Sequence, residues 1–153
     1  MDSTQYMSKE KLESLKQELK ELKEEKIPGL AKRIDDARQM GDLSENAEYH
    51  AAREEMAWAQ SKAKELGYLL DNAHVVGAKP RGNHIGIGSV VTARASGKER
   101  AFTIVGAQEA DPLNGRISNE SPLGQAFFGK NKGDKVQITV PAGVQVYEII
   151  DVQ

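Results

Sequence analysis

Along the first quarter of the chain an apolar residue returns every third or fourth position. Leu12, Leu15, Leu19 and Leu22 form the stripe, and after a slip of one residue at Ile27 it continues through Leu30, Ile34 and Ala37. The positions between are mostly Lys and Glu. A narrow apolar seam on a solvated surface is the pattern of one strand of a coiled coil. It predicts a helix over residues 9–40 with Ser8 as its N-cap, an arm about 50 Å long at the usual rise per residue. Pro28 falls inside this helix, where it removes one hydrogen bond and is expected to bend the axis. Gly41 is expected to stop it.

A second helical pattern runs from about residue 44 to 72. Its inward positions read as Ala47, Ala51 and Ala52 near the start, then Met56, Ala59, Ala63, Leu66 and Leu70. Two such helices joined by a short connection predict an antiparallel hairpin whose tip is residues 41–50. Small inward residues make that tip slim, although alanine is also simply a strong helix former. Trp58 is assigned to the seam or its root.

From residue 85 the period changes to that of strands. Runs rich in Val, Ile and Thr occupy 89–94, 101–105, 135–140 and 146–152. Turn signals bound them: Ser96-Gly97, Asn114-Gly115, Lys132-Gly133-Asp134 and Pro141-Ala142-Gly143. Residues 122–128 read as a short helix or turn. The fold class expected is α+β: a helical hairpin, then a small antiparallel sheet domain with one helical piece. Phe102, Phe127, Phe128 and Tyr147 are assigned to its core. Charge divides the chain at the same place, with 16 acidic and 12 basic side chains over residues 1–78 against 7 and 9 after them. The expected domains are 1–77 for the hairpin, 78–84 for a linker and 85–153 for the sheet.

The formal net charge of −2 gives no general attraction to nucleic acid. With no cysteine there is no disulfide scaffold, thiolate metal site or cysteine nucleophile. No basic stretch followed by an apolar run opens the sequence, and no apolar run has the length of a membrane span. A cytoplasmic protein without a membrane partner is expected. His50, His74 and His84 lack metal-ligand spacing, and no serine has the surroundings of a nucleophile elbow.

The candidate chemistry lies at the tip, in Asp42 and Glu45. One reading makes them structural: Asp42-Leu43-Ser44-Glu45 fits a capping box, with both acids at the positive end of the second helix. The other presents two carboxylates to a metal. Mg²⁺ takes one or two protein carboxylates and completes its shell with water and phosphate oxygens. Two acids on an exposed tip hold such an ion only where a partner and a phosphodiester supply the remaining ligands. Both readings stand on these residues.

The stretch Gly41-Asp42-Leu43-Ser44-Glu45-Asn46-Ala47-Glu48-Tyr49-His50-Ala51-Ala52-Arg53-Glu54 closely resembles the tip signature of the bacterial Gre transcript-cleavage factors. Ser121-Pro122-Leu123-Gly124, Phe128-Gly129-Lys130, Gly133-Asp134-Lys135-Val136 and Tyr147-Glu148-Ile149 resemble their C-terminal domain. The chain is more similar to the GreA type, since the GreB type carries a more basic hairpin face. The resemblance implies a non-enzymatic elongation factor and an FKBP-like second domain. Its partners would be bacterial RNA polymerase and the 3′ end of backtracked nascent RNA. The hairpin would enter the polymerase secondary channel, where Asp42 and Glu45 help hold a Mg²⁺ shared with the polymerase; the free protein would bind no cofactor. By the same resemblance Ser44, Asn46 and Tyr49 support the tip, and Arg38 and Arg53 meet the RNA. Ser121, Pro122 and Leu123 would dock on the polymerase. Ser44 departs from relatives in which that position is often basic, which is expected to tune activity. The alternatives are a channel-plugging regulator of the same fold without cleavage, an adaptor whose acids are only caps, and a prolyl isomerase by fold analogy.

Overall fold

A computed structural model of the chain describes residues 4–42, 45–77 and 83–153. By backbone proximity the chain forms two units, residues 12–72 and residues 1–11 together with 73–153.

The first unit is the hairpin. Its outgoing leg comprises α1 (Lys9–Glu21), a π-helical turn (Leu22–Lys26) and α2 (Ile27–Arg38), helical in backbone across both junctions. Its return leg is α3 (Ala47–Asp71). Ser8 caps α1 as expected, its Oγ accepting from the Lys11 backbone N–H at 3.1 Å.

The π turn is what the slip at Ile27 and the proline produce together. Pro28 has no N–H to donate, and its ring would strike the carbonyl four residues back, that of Glu24. The Ile27 N–H instead donates to the Leu22 carbonyl, five residues back. The buried positions of this leg are Leu15, Leu22, Leu30 and Ala37. Their steps are seven, eight and seven residues, and the long step spans the π turn. A bend was expected at Pro28; the structure shows a wide turn just before it and helix continuing past it.

On α3 the inward face is Tyr49, Ala52, Ala59, Ala63, Leu66 and Leu69, with Met56 and Leu70 half-buried. Ala47 and Ala51, expected inside, are exposed. The three–four alternation starts at Tyr49, and both alanines fall outside it. Trp58 also departs from expectation. It is 57% exposed, outside the seam, with Lys26 Nζ 5.6 Å from its ring centroid.

In the second unit β3 (Val90–Ala95), β4 (Lys98–Val105), β5 (Arg116–Ser118), β6 (Lys135–Val140) and β7 (Gly143–Val152) form a sheet in the order β5-β4-β3-β7-β6. A tight turn joins β3 to β4, with Ser96 and Gly97 both at positive φ as a type I′ hairpin requires. The sheet is mixed where an antiparallel one was expected: β5 runs parallel to β4, pairing Ile117 with Ile104. Helix α4 (Pro122–Phe127) follows β5. The core gathers Ile85, Val91, Phe102, Ile104, Ile117, Phe127, Val136 and Ile149, with Tyr147 packed against it. Phe102, Phe127 and Tyr147 meet edge-on or tilted at 5.8 to 6.2 Å, a favourable aromatic arrangement. Phe128, assigned to this core from sequence, is half exposed.

A second, two-stranded sheet joins the segments that flank the hairpin. β1 (Gln5–Met7) pairs in parallel with β2 (Ala73–Val75), two strands too short to stand out in the sequence. They belong to the second unit for a physical reason. The Ser8 N–H and Oγ both donate to the Glu109 carboxylate, at 2.8 and 2.7 Å. The Tyr6 carbonyl lies where a Cβ on residue 106 would sit, so that position accepts only Gly106. The segments flanking the hairpin are therefore built into the sheet unit, and by backbone proximity the two units meet after residues 11 and 72. Of the predicted linker, residues 78–82 lie outside the described residues.

Candidate functional site at the hairpin tip

The tip begins where α2 ends. Arg38 is the last residue of α2, Gln39 its C-cap, and Gly41 takes a φ of +115°, a conformation side chains disfavour. Met40, Gly41, Asp42 and Glu45 are all exposed. Leu43 and Ser44, the latter expected to support the tip, lie outside the described residues.

The second leg does not start where the capping-box pattern put it. Its N-cap is Asn46, in extended backbone, with Oδ1 accepting from the Tyr49 N–H at 3.1 Å. The same side chain reaches across the hairpin, Nδ2 donating to the Ala37 carbonyl at 2.8 Å. One amide thus caps the incoming helix and fastens it to an end carbonyl of the outgoing one. Aspartate would match the cap but has no donor for that carbonyl. Neither Asp42 nor Glu45 is the cap of α3. Two carboxylates are acceptor-only ligands suited to a hard cation such as Mg²⁺, and two are too few to enclose one. Among the described residues no three His, Asp or Glu side chains converge as a metal site.

Directly behind the tip sits Tyr49, 7% exposed. The guanidinium carbons of Arg38 and Arg53 lie 5.9 and 5.8 Å from its ring centroid, within cation–π range. Arg53 Nη1 also donates to the Tyr49 hydroxyl at 3.4 Å. The neighbouring guanidiniums, Arg53 first and then Arg38, draw the phenol below its ordinary range by favouring its anion. The structure therefore brings together four of the predicted residues (Arg38, Asn46, Tyr49 and Arg53) in one cluster behind two exposed acids.

Arg33 was not singled out from sequence, and it makes two ion pairs that join the legs of the hairpin. Its Nη2 meets Glu48 at 2.8 Å and its Nη1 meets Glu55 at 3.2 Å, and these carboxylates raise its pKa further. Glu48 and Glu55 each precede a seam position, Tyr49 and Met56, and Arg33 precedes Ile34. Charges flanking an apolar seam pair across it, which is the signal that could have found this clamp.

The predicted docking residues lie in the other unit. Ser121 caps α4, its Oγ accepting from the Gly124 N–H at 3.1 Å and donating to the Ser118 carbonyl at 2.6 Å. Leu123 packs against the core and Pro122 is exposed.

Residues 5–75 match the family described as transcription elongation factor, N-terminal, and residues 79–153 the family described as transcription elongation factor GreA/GreB, C-terminal. The transcription elongation factor GreA of Nautilia profundicola is 46% identical over 147 residues, covering 94% of this chain and 90% of that one. That of Thermotoga neapolitana is 40% identical over 148 residues, 95% of each chain. Among solved structures, GreA factor homolog 1 (Gfh1) of Thermus thermophilus is 25% identical, covers 98% of this chain and 99% of that one, and superposes with a TM-score of 0.46.

Proposed function

From the premise that the chain belongs to the GreA/GreB family of transcription elongation factors, we propose that it binds bacterial RNA polymerase and stimulates the polymerase's own cleavage of backtracked RNA. The hairpin tip enters the secondary channel, and the catalytic centre remains the polymerase's. The observation that carries this reading is the pair of exposed acids at a tip whose second helix is capped by a different residue, Asn46.

Asp42 and Glu45 would hold Mg²⁺ jointly with the polymerase and the RNA. That ion, when bound, supplies Lewis-acid stabilisation of charge on phosphate oxygens and lowers the pKa of bound water. The chain's own residues do the rest by position. Asn46 fixes the start of α3 against the end of α2, which sets the direction of the chain at Glu45, the residue before the cap. Arg38 and Arg53 place positive charge behind the acids, where they grip RNA phosphate without reading sequence. Ser121, Pro122 and Leu123 are proposed to meet the polymerase surface; of these, Pro122 is the exposed one.

Stalled, backtracked elongation complexes with labelled RNA test the reading, comparing wild type with Asp42→Asn and Glu45→Gln. The amides keep size and remove charge, and neither replaces the α3 cap. Each is expected to lower cleavage about 10²-fold or more, on the scale of losing one electrostatic contributor at an active centre, with polymerase binding retained. Wild-type-like cleavage by both variants rejects a role for the acids in the chemistry. Wild type that binds without releasing RNA fragments makes the protein a channel-plugging regulator instead.

A further inference from the structure

We infer that Tyr49 is a positioning residue, its ring holding the guanidiniums of Arg38 and Arg53 as a matched pair that grips one phosphodiester of the RNA 3′ segment. This rests on the function proposed above and goes beyond it by assigning the pairing to a third side chain. Arg38 ends one helix and Arg53 lies four residues beyond Tyr49 on the other, yet both cations sit at nearly equal distance from one ring, 5.9 and 5.8 Å. Like charges gathered on one group repel unless something opposes them. The ring's π system does so in part, and its hydroxyl accepts from Arg53.

The contrast with Arg33 gives the pair its meaning. Arg33 is held between two carboxylates, whereas the ion pairs of the described hairpin residues use Lys16, Arg33 and Lys62 and leave out Arg38 and Arg53. Two planar guanidinium forks without carboxylate partners, fixed by a buried ring, match a phosphate with its several oxygens better than a single carboxylate. Tyr49 itself is too enclosed for that contact, at 7% exposed. It acts through the arginines.

The experiment measures apparent affinity for backtracked complexes, with extruded RNA, against complexes of the same polymerase without extruded RNA, over a range of salt. Tyr49→Leu keeps an apolar seam residue and removes the ring. It is expected to lower the preference for backtracked complexes by about tenfold, the loss of a charge-assisted contact. It should also flatten the difference in log–log salt slope by about 0.7, the value for one single-strand phosphate. Tyr49→Phe keeps the ring and should stay within about twofold of wild type, since only the long hydroxyl contact is lost. In the Tyr49→Leu background, Arg38→Gln with Arg53→Gln should add little, because contacts made through one another are not additive.

Independently of how Tyr49→Leu folds, Arg38→Lys with Arg53→Lys keeps both charges without the planar forks, and should lower the preference several-fold while retaining the salt slope. Tyr49→Leu with wild-type preference and slope overturns the inference, as does full additivity with the arginine losses or wild-type behaviour of the double lysine variant. A wild-type protein that does not distinguish backtracked complexes overturns the proposed function, and the inference with it.

Discussion

The two units of this chain are stabilised differently. The sheet unit has a core in depth: Phe127 is fully buried among Phe102, Tyr147, Ile104 and Ile149. The hairpin has only a seam, much of it alanine on the return leg, and holds its legs together near the tip with polar fasteners, Arg33 and Asn46. A core punishes almost any change with lost stability. A seam that ends in exposed acids lets the end of the rod be altered chemically while the fold persists. Exposed groups at the tip can then be varied independently of what keeps the protein folded.

Removing an aromatic from the deep core should therefore have the largest effect on stability. Phe127→Ala is expected to cost about 3–5 kcal/mol, measured by denaturant titration, a large part of a typical domain's total. The tip amides Asp42→Asn and Glu45→Gln, expected to lower cleavage about 10²-fold, should stay within about 0.5 kcal/mol of wild type in the same titration, as exposed sites do. A tip variant that unfolds the protein would erase the distinction between the units. On the seam the vulnerable direction is enlargement. Ala52→Leu, at a position with no exposed surface, should destabilise by about 1–3 kcal/mol through overpacking, followed by the thermal melt of the helical signal.

Asn46 divides one residue's work into two parts. Asn46→Ala should lose about 1–2 kcal/mol with the cap. Asn46→Asp keeps the cap and loses only the donor to the Ala37 carbonyl, so it should fall between alanine and wild type; equality with alanine would mean the cross-hairpin bond, not the cap, carries the effect.

The smallest effect is on pH dependence. The Tyr49 phenol titrates below its ordinary value of 10.0 in the folded protein because Arg53 and Arg38 favour its anion. Over the interval between the folded and unfolded values the unfolded chain holds more protons, so stability rises with pH there. Wild type should match Tyr49→Phe in this respect at neutral pH, gain on it as pH climbs towards 10, and hold the full gain above that. Arg53→Gln should shrink the gain. A difference between wild type and Tyr49→Phe that does not change with pH would show that the guanidiniums do not act on the phenol.

Much of this was legible in the residues, and the failures have physical causes. The outgoing seam was readable down to its slip at Ile27, because burial leaves a period in the sequence; that the slip is a π turn was not, since a proline in a helix can be accommodated in more than one way. The strand runs at 135–140 and 146–152 were visible, while β1, β2 and β5 were not. Three residues carry no period, and a parallel partner such as Val105 for Ser118 is chosen by the whole fold. At the tip, Asp42 and Glu45 match a capping box in spacing, but the cap is Asn46, which also makes a cross-hairpin bond that no local pattern encodes. Trp58 and Phe128 look like core residues by type alone, and only packing reveals that they are not.

The π turn has a further consequence. Each residue of an α-helix advances about 100° around the axis, so one extra residue inserted in regular helix would swing everything beyond it by that angle. Arg38 would then leave the bearing from which it meets Tyr49, and the acids would face a different quarter of the compass. The wide turn over Leu22–Lys26 takes up the extra residue without that rotation, since Leu30 and Ala37 resume the face of Leu15 and Leu22. It serves as a phase corrector, keeping the heading of the tip fixed although the outgoing leg holds one residue more than its heptads allow. Deleting one residue from the turn together with Pro28→Ala should leave that heading unchanged, whereas the same deletion within α2 should turn it.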